Sequence, residues 1–229
     1  MKTYFHNYCF IIGLLTLLIS SCAKESGFVP QVSSKPLTDA GGTPVVPATN
    51  DYQPFDTGST WRYQDSLESS LDTTTNILTG KTNVIDAKTF YEMAESNRTG
   101  KDTSYYYKGE HNYISNTKGF ADGVGTELLY LNDNEAVGYT WNGQAVADNP
   151  LVIGTYKGTI LEKDISKTVL GKNYTNVIHT QVVLTLTILG TAGDLTCDFY
   201  TAKGIGIIEM DTDDGTEKTT SKLIDYVIK

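Results

Sequence analysis

The chain has 229 residues and a formal net charge of −9. An acidic chain is a poor partner for nucleic acid, because binding to the phosphate backbone requires clustered Lys and Arg side chains. No basic cluster longer than two residues interrupts the sequence. The composition therefore excludes a nucleic-acid-binding protein, and the length suits one domain of ordinary size with shorter segments beside it.

Residues 1–21 have the three parts of an export signal. Lys2 supplies the positive start, and an almost uninterrupted apolar run extends from Phe10 to Ile19. The small residues Ser20 and Ser21 fit a signal peptidase site. The apolar run of about ten residues is shorter than the roughly 20 that a stable membrane-spanning helix needs. We therefore expect residues 1–21 to be removed as a signal peptide.

Cys22 directly follows this segment, and Ile19-Ser20-Ser21-Cys22 resembles the lipobox of bacterial lipoproteins. The resemblance implies diacylglycerol on the Cys22 sulfur, cleavage after Ser21, and acylation of the new amino terminus by a fatty acid such as palmitate. A thiol suits this position because its thiolate is the nucleophile that forms the thioether. The alternative is an ordinary secretory signal followed by a chance cysteine.

Residues 22–50 are predicted to form a lipidated, disordered linker. Four of the six prolines lie between Pro30 and Pro47, among Gly, Ser and Thr. Such a segment buries too little apolar surface to offset the entropy lost on ordering. As a coil, its residues span about 30 Å on average, and about 90 Å when fully extended. The linker would let the following domain stand clear of a bilayer.

Residues 51–229 are predicted to form one all-β domain with a mainly antiparallel sheet and little helix. Thr, Val, Ile and Tyr are abundant, and turn signals recur every eight to fifteen residues. In residues 174–189, Ile178, Val182 and Leu184 share one strand face, whereas His179 and Gln181 share the other. Because short turns join neighbouring strands, we expect a strongly curved sheet or half-barrel.

Two local patterns make more specific structural predictions. Asn142-Gly143 is the strongest hairpin signal in the chain, so a turn is expected between Thr140-Trp141 and residues 144–146. The segment Leu161–Leu170 is the best candidate for a short helix.

A weak internal repeat raises the prediction of two similar halves. Gly58-Ser-Thr-Trp61 recurs as Gly138-Tyr-Thr-Trp141, and Tyr105-Tyr-Tyr-Lys-Gly109 resembles Tyr200-Thr-Ala-Lys-Gly204. The two offsets are 80 and 95 residues, so insertions are needed to align both pairs. The alternative is that an aromatic residue followed by Lys-Gly is simply a convenient strand ending.

The domain resembles a known group of proteins. Phe55-Asp-Thr-Gly58 with Trp61-Arg-Tyr63, and the later pair Tyr174–Ile178 and Phe199–Ile208, are similar to segments of Bacteroidetes cell-envelope lipoproteins. The nearest fold group is the lipoprotein-localisation-factor-like half-barrel. That resemblance implies a curved antiparallel sheet over a hydrophobic ligand cavity. In the best-known members helices close the concave face, and this sequence offers little helix.

Catalytic chemistry is poorly represented, and we expect no enzyme, metal or cofactor. After loss of the signal, His111 and His179 are the remaining histidines, and no nucleophile elbow, zinc-binding pair or phosphate-binding glycine loop occurs. Cys197 has the apolar parity of its strand and is predicted to be a small core residue. A hydrolase would need the fold to bring together an acidic pair such as Asp198 and Glu209.

Aromatic side chains are the predicted ligand-binding residues: Trp61, Tyr63, Tyr105, Tyr107 and Trp141. Tyr and Trp combine a flat apolar body with a polar edge, which suits sugar rings and apolar ligands. In Tyr105-Tyr106-Tyr107, strand alternation places at least one ring on the face away from the core. The alternative is that these rings are ordinary packing residues of a β-rich domain.

One short motif indicates a modification. Asp65-Ser66-Leu67 resembles the O-glycosylation motif of Bacteroidetes exported proteins, which implies a glycan on Ser66, although three residues also match by chance.

Together these patterns predict a non-catalytic lipoprotein of the outer membrane, on its periplasmic or cell-surface side. Its partners would be the membrane, through the N-terminal lipid, and a lipid, a glycan or an envelope protein. The alternative of a different class is a purely structural accessory subunit of an outer-membrane assembly.

The lipid anchor is directly testable by Cys22→Ser. We expect the variant to leave the membrane fraction, because each buried acyl methylene contributes about 0.8 kcal/mol to anchoring. Ultracentrifugation and immunoblotting measure the distribution. A variant that still sediments with membranes would contradict the prediction.

Overall fold

A computed structural model describes residues 50–67, 70–118, 125–146, 152–188 and 191–229. The predicted signal peptide, Cys22 and nearly all of the predicted linker lie outside the described residues. Within them, every regular element is a strand. The twelve strands are β1 Thr60–Leu67, β2 Ser70–Ile85, β3 Lys88–Asn97, β4 Gly100–Gly109, β5 Asn112–Lys118, β6 Gly125–Asn132, β7 Thr140–Val146, β8 Val152–Val169, β9 Lys172–Ile188, β10 Thr191–Ala202, β11 Gly206–Asp213 and β12 Lys218–Val227.

All twelve strands belong to one sheet, in the order β6-β5-β4-β3-β2-β1-β12-β11-β10-β9-β8-β7. Every pairing is antiparallel. The chain therefore starts in the middle of the sheet, moves outward to the edge strand β6, crosses to the other edge at β7, and returns to β12 beside β1. The sheet curls into a nearly closed barrel. The predicted all-β antiparallel, strongly curved fold is confirmed.

Strand β9 illustrates why this sequence forms such a sheet. Ile178, Val182 and Leu184 are almost fully buried inside, at alternating positions. The intervening residue Gln181 points to the other face and bonds the Asp198 carboxylate on β10. This alternation of apolar and polar side chains matches the period of two that a strand requires when one face covers a core.

The two halves of the chain begin in the same way. Gly58 and Gly138 both have a positive φ, of 83° and 89°, which glycine adopts at no steric cost. The Gly58 amide donates to the Leu78 carbonyl at 2.9 Å, and the Gly138 amide donates to the Ile160 carbonyl at 2.8 Å. The next residue along, Ser59 or Tyr139, accepts the return bond from Leu78 or Ile160 at 3.0 Å.

The segments that precede these glycines are also equivalent. Asp51 accepts a bond from Gly204 in the β10–β11 turn, and Asp133 donates to His111 in the β4–β5 turn. Each half thus lays its leading segment on the fourth strand connection of the other half. Strands β1–β6 and β7–β12 are two similar halves, as the repeat of Gly-x-Thr-Trp predicted.

Side chains rather than strand pairing seal the seam between the edge strands β6 and β7. The Trp141 indole donates to the Leu129 carbonyl at 2.9 Å, and the Leu129 amide donates to the Tyr156 hydroxyl at 3.2 Å. The Thr180 hydroxyl donates to the Tyr130 carbonyl at 2.6 Å. Three backbone groups that the edge strand β6 would otherwise expose are therefore satisfied within the chain.

The interior is filled by two clusters of buried side chains. The first joins the seam to the second half and contains Tyr52, Tyr113, Leu128, Tyr130, Leu131, Trp141, Ile160, Ile178, Val182, Leu184, Leu195, Cys197 and Phe199. The second lies around β1 and contains Trp61, Leu78, Met93, Val169, Tyr174, Val177, Ala202, Ile205, Ile208 and Leu223. Tyr130 stands at the centre of the first cluster, 5.5 Å from the Phe199 ring and 6.3 Å from the Tyr113 ring.

The hairpin predicted at Asn142-Gly143 is wrong, because both residues lie within the continuous strand β7. Gly143 pairs with Tyr156 on β8, and a Cβ at Gly143 would overlap the Tyr156 ring. The glycine is needed for a close approach across the sheet rather than for a turn.

The short helix predicted at Leu161–Leu170 is also wrong, since residues up to Val169 belong to β8. The register between β8 and β9 shifts three times between Ile160 and Lys167. These β-bulges disturb the simple alternation of apolar residues, and the disturbed spacing resembles a helical period.

The tight contact between Gly158 and Trp141 predicts the effect of Gly158→Ala. Gly158 pairs with Trp141, and a Cβ there would overlap the indole that bonds Leu129. We expect a loss of about 1–3 kcal/mol in the free energy of unfolding, as for other overpacked cores. Urea denaturation measures the change.

Thr159→Ala, at the next position of β8, is the matched control and should cost less than about 1 kcal/mol. Equal stability of the two variants would contradict the proposed role of Gly158.

Candidate functional site

Two of the five predicted ligand-binding aromatics are structural residues of β1. Trp61 is 1% exposed, and its indole donates to the Ile205 carbonyl at 2.6 Å. The Tyr63 hydroxyl donates to the Ile207 carbonyl at 2.8 Å, and burial raises the pKa of Tyr63 well above its ordinary value. Both rings join β1 to the start of β11 across the barrel interior.

Trp141 also has a structural position. It is 7% exposed and closes the seam through Leu129, while its ring lies 6.2 Å from the exposed ring of Tyr139. Tyr139 has the same strand parity as Trp141 and lies beyond it at the end of the barrel. The polar edge of Trp141 is therefore already occupied by the protein.

The three consecutive tyrosines of β4 divide between the two faces, as alternation predicts. Tyr106 points inward and makes an edge contact with Tyr130 at 6.5 Å. Tyr105 and Tyr107 point away from that core and are half-buried. Tyr107 packs 5.5 Å from Phe90, and its ring covers Gly109. Tyr105 and Tyr107 are thus the predicted aromatics that remain partly accessible.

The two best-formed depressions among the described residues both open to the surface. One, of about 590 Å³, is lined by polar residues of β7–β9 such as Asn142, Gln144 and Lys157. The other, of about 420 Å³, is lined by Asp51, Asp56, Lys108 and two aromatic rings. Those rings, Phe55 and Tyr91, are stacked at 4.5 Å. Neither depression is a chamber within the barrel.

His179 is the centre of a charged cluster that the sequence did not reveal. Its Nδ1 lies 3.1 Å from Glu162, its Nε2 lies 2.8 Å from Asp198, and its ring stacks 4.1 Å from Tyr200. Both ring nitrogens of His179 therefore have carboxylate partners. Strand alternation alone could not show that β8 and β10 would both supply acids.

Lys167 continues the same cluster on the outer face of β8. Its ammonium lies 3.5 Å from the centre of the Tyr200 ring and 2.9 Å from the Glu209 carboxylate. Burial acts to lower the pKa of Lys167, but Glu209 and Tyr200 outweigh it and the pKa is raised. Asp198 and Glu209, named above as a conceivable acidic pair, are each engaged by a neighbouring base.

The other sequence candidates have ordinary surroundings. Cys197 is 6% exposed within the first core cluster, as its parity predicted. His111 lies 2.6 Å from Asp133 on an exposed turn. Ser66 lies within β1 and pairs with residues of both β2 and β12. In the part of the chain that the structure describes, no group of three His, Cys, Asp or Glu residues is placed to hold a metal ion.

Carboxylates face the interior at the end of the barrel opposite to Trp61. Asp65 accepts bonds from Thr74 and Ser221, and Glu95 accepts one from Ser104. Burial raises the pKa of both acids above their ordinary values, although these hydrogen bonds act in the opposite direction. The sequence analysis did not name these two acids, although their inward parity, shared with Trp61 and Tyr63 for Asp65 and with Met93 for Glu95, is a signal that could have found them.

None of the described residues forms a helix long and apolar enough to cross a membrane. No protein-family model matches the chain, and no curated protein matches it.

Two solved structures resemble the fold. A chain from Parabacteroides distasonis classed as a lipoprotein has a TM-score of 0.53 and 9% identity, over 77% of this chain and 98% of that one. A Bacteroides fragilis protein classed as exported, with a YmcC-like fold, has a TM-score of 0.44 and 8% identity, over 76% and 98%. The Parabacteroides likeness shows a shared fold, which confirms the resemblance at the level of fold.

The buried carboxylate of Glu95 predicts a pH-dependent effect of Glu95→Gln. A raised pKa in the folded state favours the protonated carboxyl, so its stabilising contribution is complete below the unfolded pKa of about 4.3. That contribution is lost as the pH rises through the folded pKa. We therefore expect Glu95→Gln to be more stable than the wild type at pH 7, with a smaller difference in acid.

Urea denaturation between pH 7 and about pH 4 measures the effect. Glu110→Gln on an exposed turn is the control. Parallel stability profiles for the wild type and Glu95→Gln would contradict the role assigned to burial.

Proposed function

We propose that this protein is a lipid-anchored, non-catalytic docking module of the bacterial outer membrane. The observation that supports this most strongly is the filled interior. Residues from both halves, such as Tyr130, Phe199 and Trp61, occupy the space that a carrier of apolar ligands would leave open. Recognition would then take place on the outside of the barrel.

The placement of the aromatic residues supports the same proposal. Trp61, Tyr63 and Trp141 bond backbone carbonyls of the chain itself, so their polar edges are not available to a ligand. The exposed surface instead offers strand faces and turns, which are suited to contact with a partner protein of the envelope. The alternative, a purely structural accessory subunit of an outer-membrane assembly, would use the same outer surface for a permanent contact.

Lack of catalysis is part of the proposal. His179 would need a free ring nitrogen to act as a general base, but Glu162 and Asp198 occupy both. Glu209 is engaged by Lys167. This outer cluster has the character of a structural ion-pair network that joins β8–β11.

Mass spectrometry of the protein and of its Cys22→Ser variant tests the proposal. We expect the native chain to start at an acylated Cys22, and the soluble variant to retain no lipid after purification. One tightly held lipid per chain of the variant would contradict docking and favour a carrier.

A glycan array tests whether the protein binds carbohydrate instead, which is the remaining class of ligand. The Phe55–Tyr91 pair and its neighbouring acids form the surface depression best suited to a sugar ring. Saturable glycan binding that Tyr91→Ala abolishes would replace the docking proposal with carbohydrate recognition, and we expect no such binding.

A further inference from the structure

One end of the barrel, here called the proximal rim, carries both the start of the described chain and a concentration of exposed apolar residues. Strands β1 and β7 begin at this end, and β4, β6 and β10 finish there. Hydrogen bonds from Gly204 to Asp51 and from Asp133 to His111 hold its segments together. The proximal rim consists of residues 50–59, 86–87, 109–111, 133–139, 170–171 and 203–205, with the strand residues next to them.

The exposed apolar residues are distributed unequally between the two ends. Among the described residues, eight large hydrophobic side chains are exposed. Leu71 lies at the opposite end, whereas Ile77 and Leu161 lie near the middle of the long strands β2 and β8, beside the rim residues that bond Leu78 and Ile160. A single exposed hydrophobic residue needs no explanation, but a concentration at one end indicates a contact surface. The seven at or beside the proximal rim are Ile77, Val84, Val137, Tyr139, Leu161, Leu170 and Val227.

The duplicated fold provides an internal comparison for three of them. The equivalent hydrogen bonds at Gly58 and Gly138 align Val137, Tyr139 and Leu161 of the second half with three polar residues of the first half. Those three residues are Thr57, Ser59 and Thr79. Because the same backbone forms with Thr, Ser and Thr, the fold does not require the apolar side chains. Their exposed fractions are 57%, 40% and 37%.

The position of the chain's start identifies the surface that this end would meet. The described chain begins at Asn50 on the proximal rim, 28 residues after Cys22. A linker of this length averages about 30 Å, so an anchor at Cys22 leaves this end within reach of the bilayer. Weak contacts become effective under such a tether, because the local concentration of the surface is high.

We propose that the proximal rim rests on the lipid bilayer that holds the acylated Cys22, with Val137, Tyr139 and Leu161 inserted among the headgroups. This inference rests on the proposed lipid anchor. Aliphatic side chains lose contact with water there, and tyrosine places its hydroxyl at the polar boundary. The rim contact fixes the orientation of the barrel and leaves its opposite end facing away from the membrane.

Hydrogen exchange of the acylated protein in nanodiscs of phosphatidylethanolamine and phosphatidylglycerol tests the proposal, with the soluble Cys22→Ser chain as reference. We expect amide exchange in residues 133–139 and 160–164 to slow at least threefold beside the bilayer. The triple variant Val137→Thr, Tyr139→Ser, Leu161→Thr should lose this protection. It reproduces the residues of the first half, so its unfolding midpoint should change little.

Leu71→Thr is the control, since it removes a still more exposed apolar side chain (61%) at the opposite end and should retain the protection. Unchanged exchange at the proximal rim would overturn the proposal. Protection that increases with protein concentration instead of lipid would also overturn it, in favour of contact between two copies.

A separate measurement distinguishes failure of the rim from failure of the anchor. If mass spectrometry finds Cys22 unmodified, the proposed function fails, but sedimentation of the Cys22→Ser chain with vesicles of the same lipids still tests the rim. We expect weak binding that the triple variant lowers about tenfold and Leu71→Thr does not. No difference between the two variants would overturn the proposal.

Discussion

The pairing of β1 with β12 is the constraint on which the rest of this structure depends. It joins Thr60 to Val227, at opposite ends of the domain, and places both in the middle of the sheet. Every other strand pairs with its neighbour in sequence, so this pairing alone converts two six-stranded meanders into one sheet. Closing so long a loop is entropically costly. The cost is offset by burial of Trp61 and Leu223 where the two meanders meet.

Once β1 and β12 are paired, the edges of the sheet must be β6 and β7, which are consecutive in the chain. The seam between them is closed by Trp141, Tyr156 and Thr180, whose side chains reach the backbone of β6. Curling the sheet until these bonds form brings the walls together and fills the interior with aromatic rings. The curvature that closes the seam therefore also fills the space in which a ligand could bind. For this reason the proposed docking function uses the outside of the barrel.

Strand periodicity made the fold class and the inward faces of β9 and β10 predictable, because a buried face imposes a period of two. It could not locate Trp61 and Trp141 inside the barrel, since an aromatic ring on a strand suits either face until its partners are known. The hairpin predicted at Asn142-Gly143 was wrong for a similar reason, because Gly143 leaves room for the Tyr156 ring of the next strand and does not form a turn. The His179 cluster depends on register shifts between β8 and β9 that no local pattern specifies. Tyr105 and Tyr107 were predictable as a pair, since alternation fixes their shared face whatever they contact.

The internal duplication separates what the fold needs from what the surface adds. Where the halves agree, as at Gly58 and Gly138 or at Trp61 and Trp141, the residues set backbone conformation or fill the core. Where the halves differ at the same backbone position, stability of the fold does not explain the difference. Val137 in place of Thr57 is such a position, and it lies at the end of the barrel where the described chain begins. Divergence at equivalent positions therefore supports the proposed contact surface, in a protein whose core residues serve mainly its own packing.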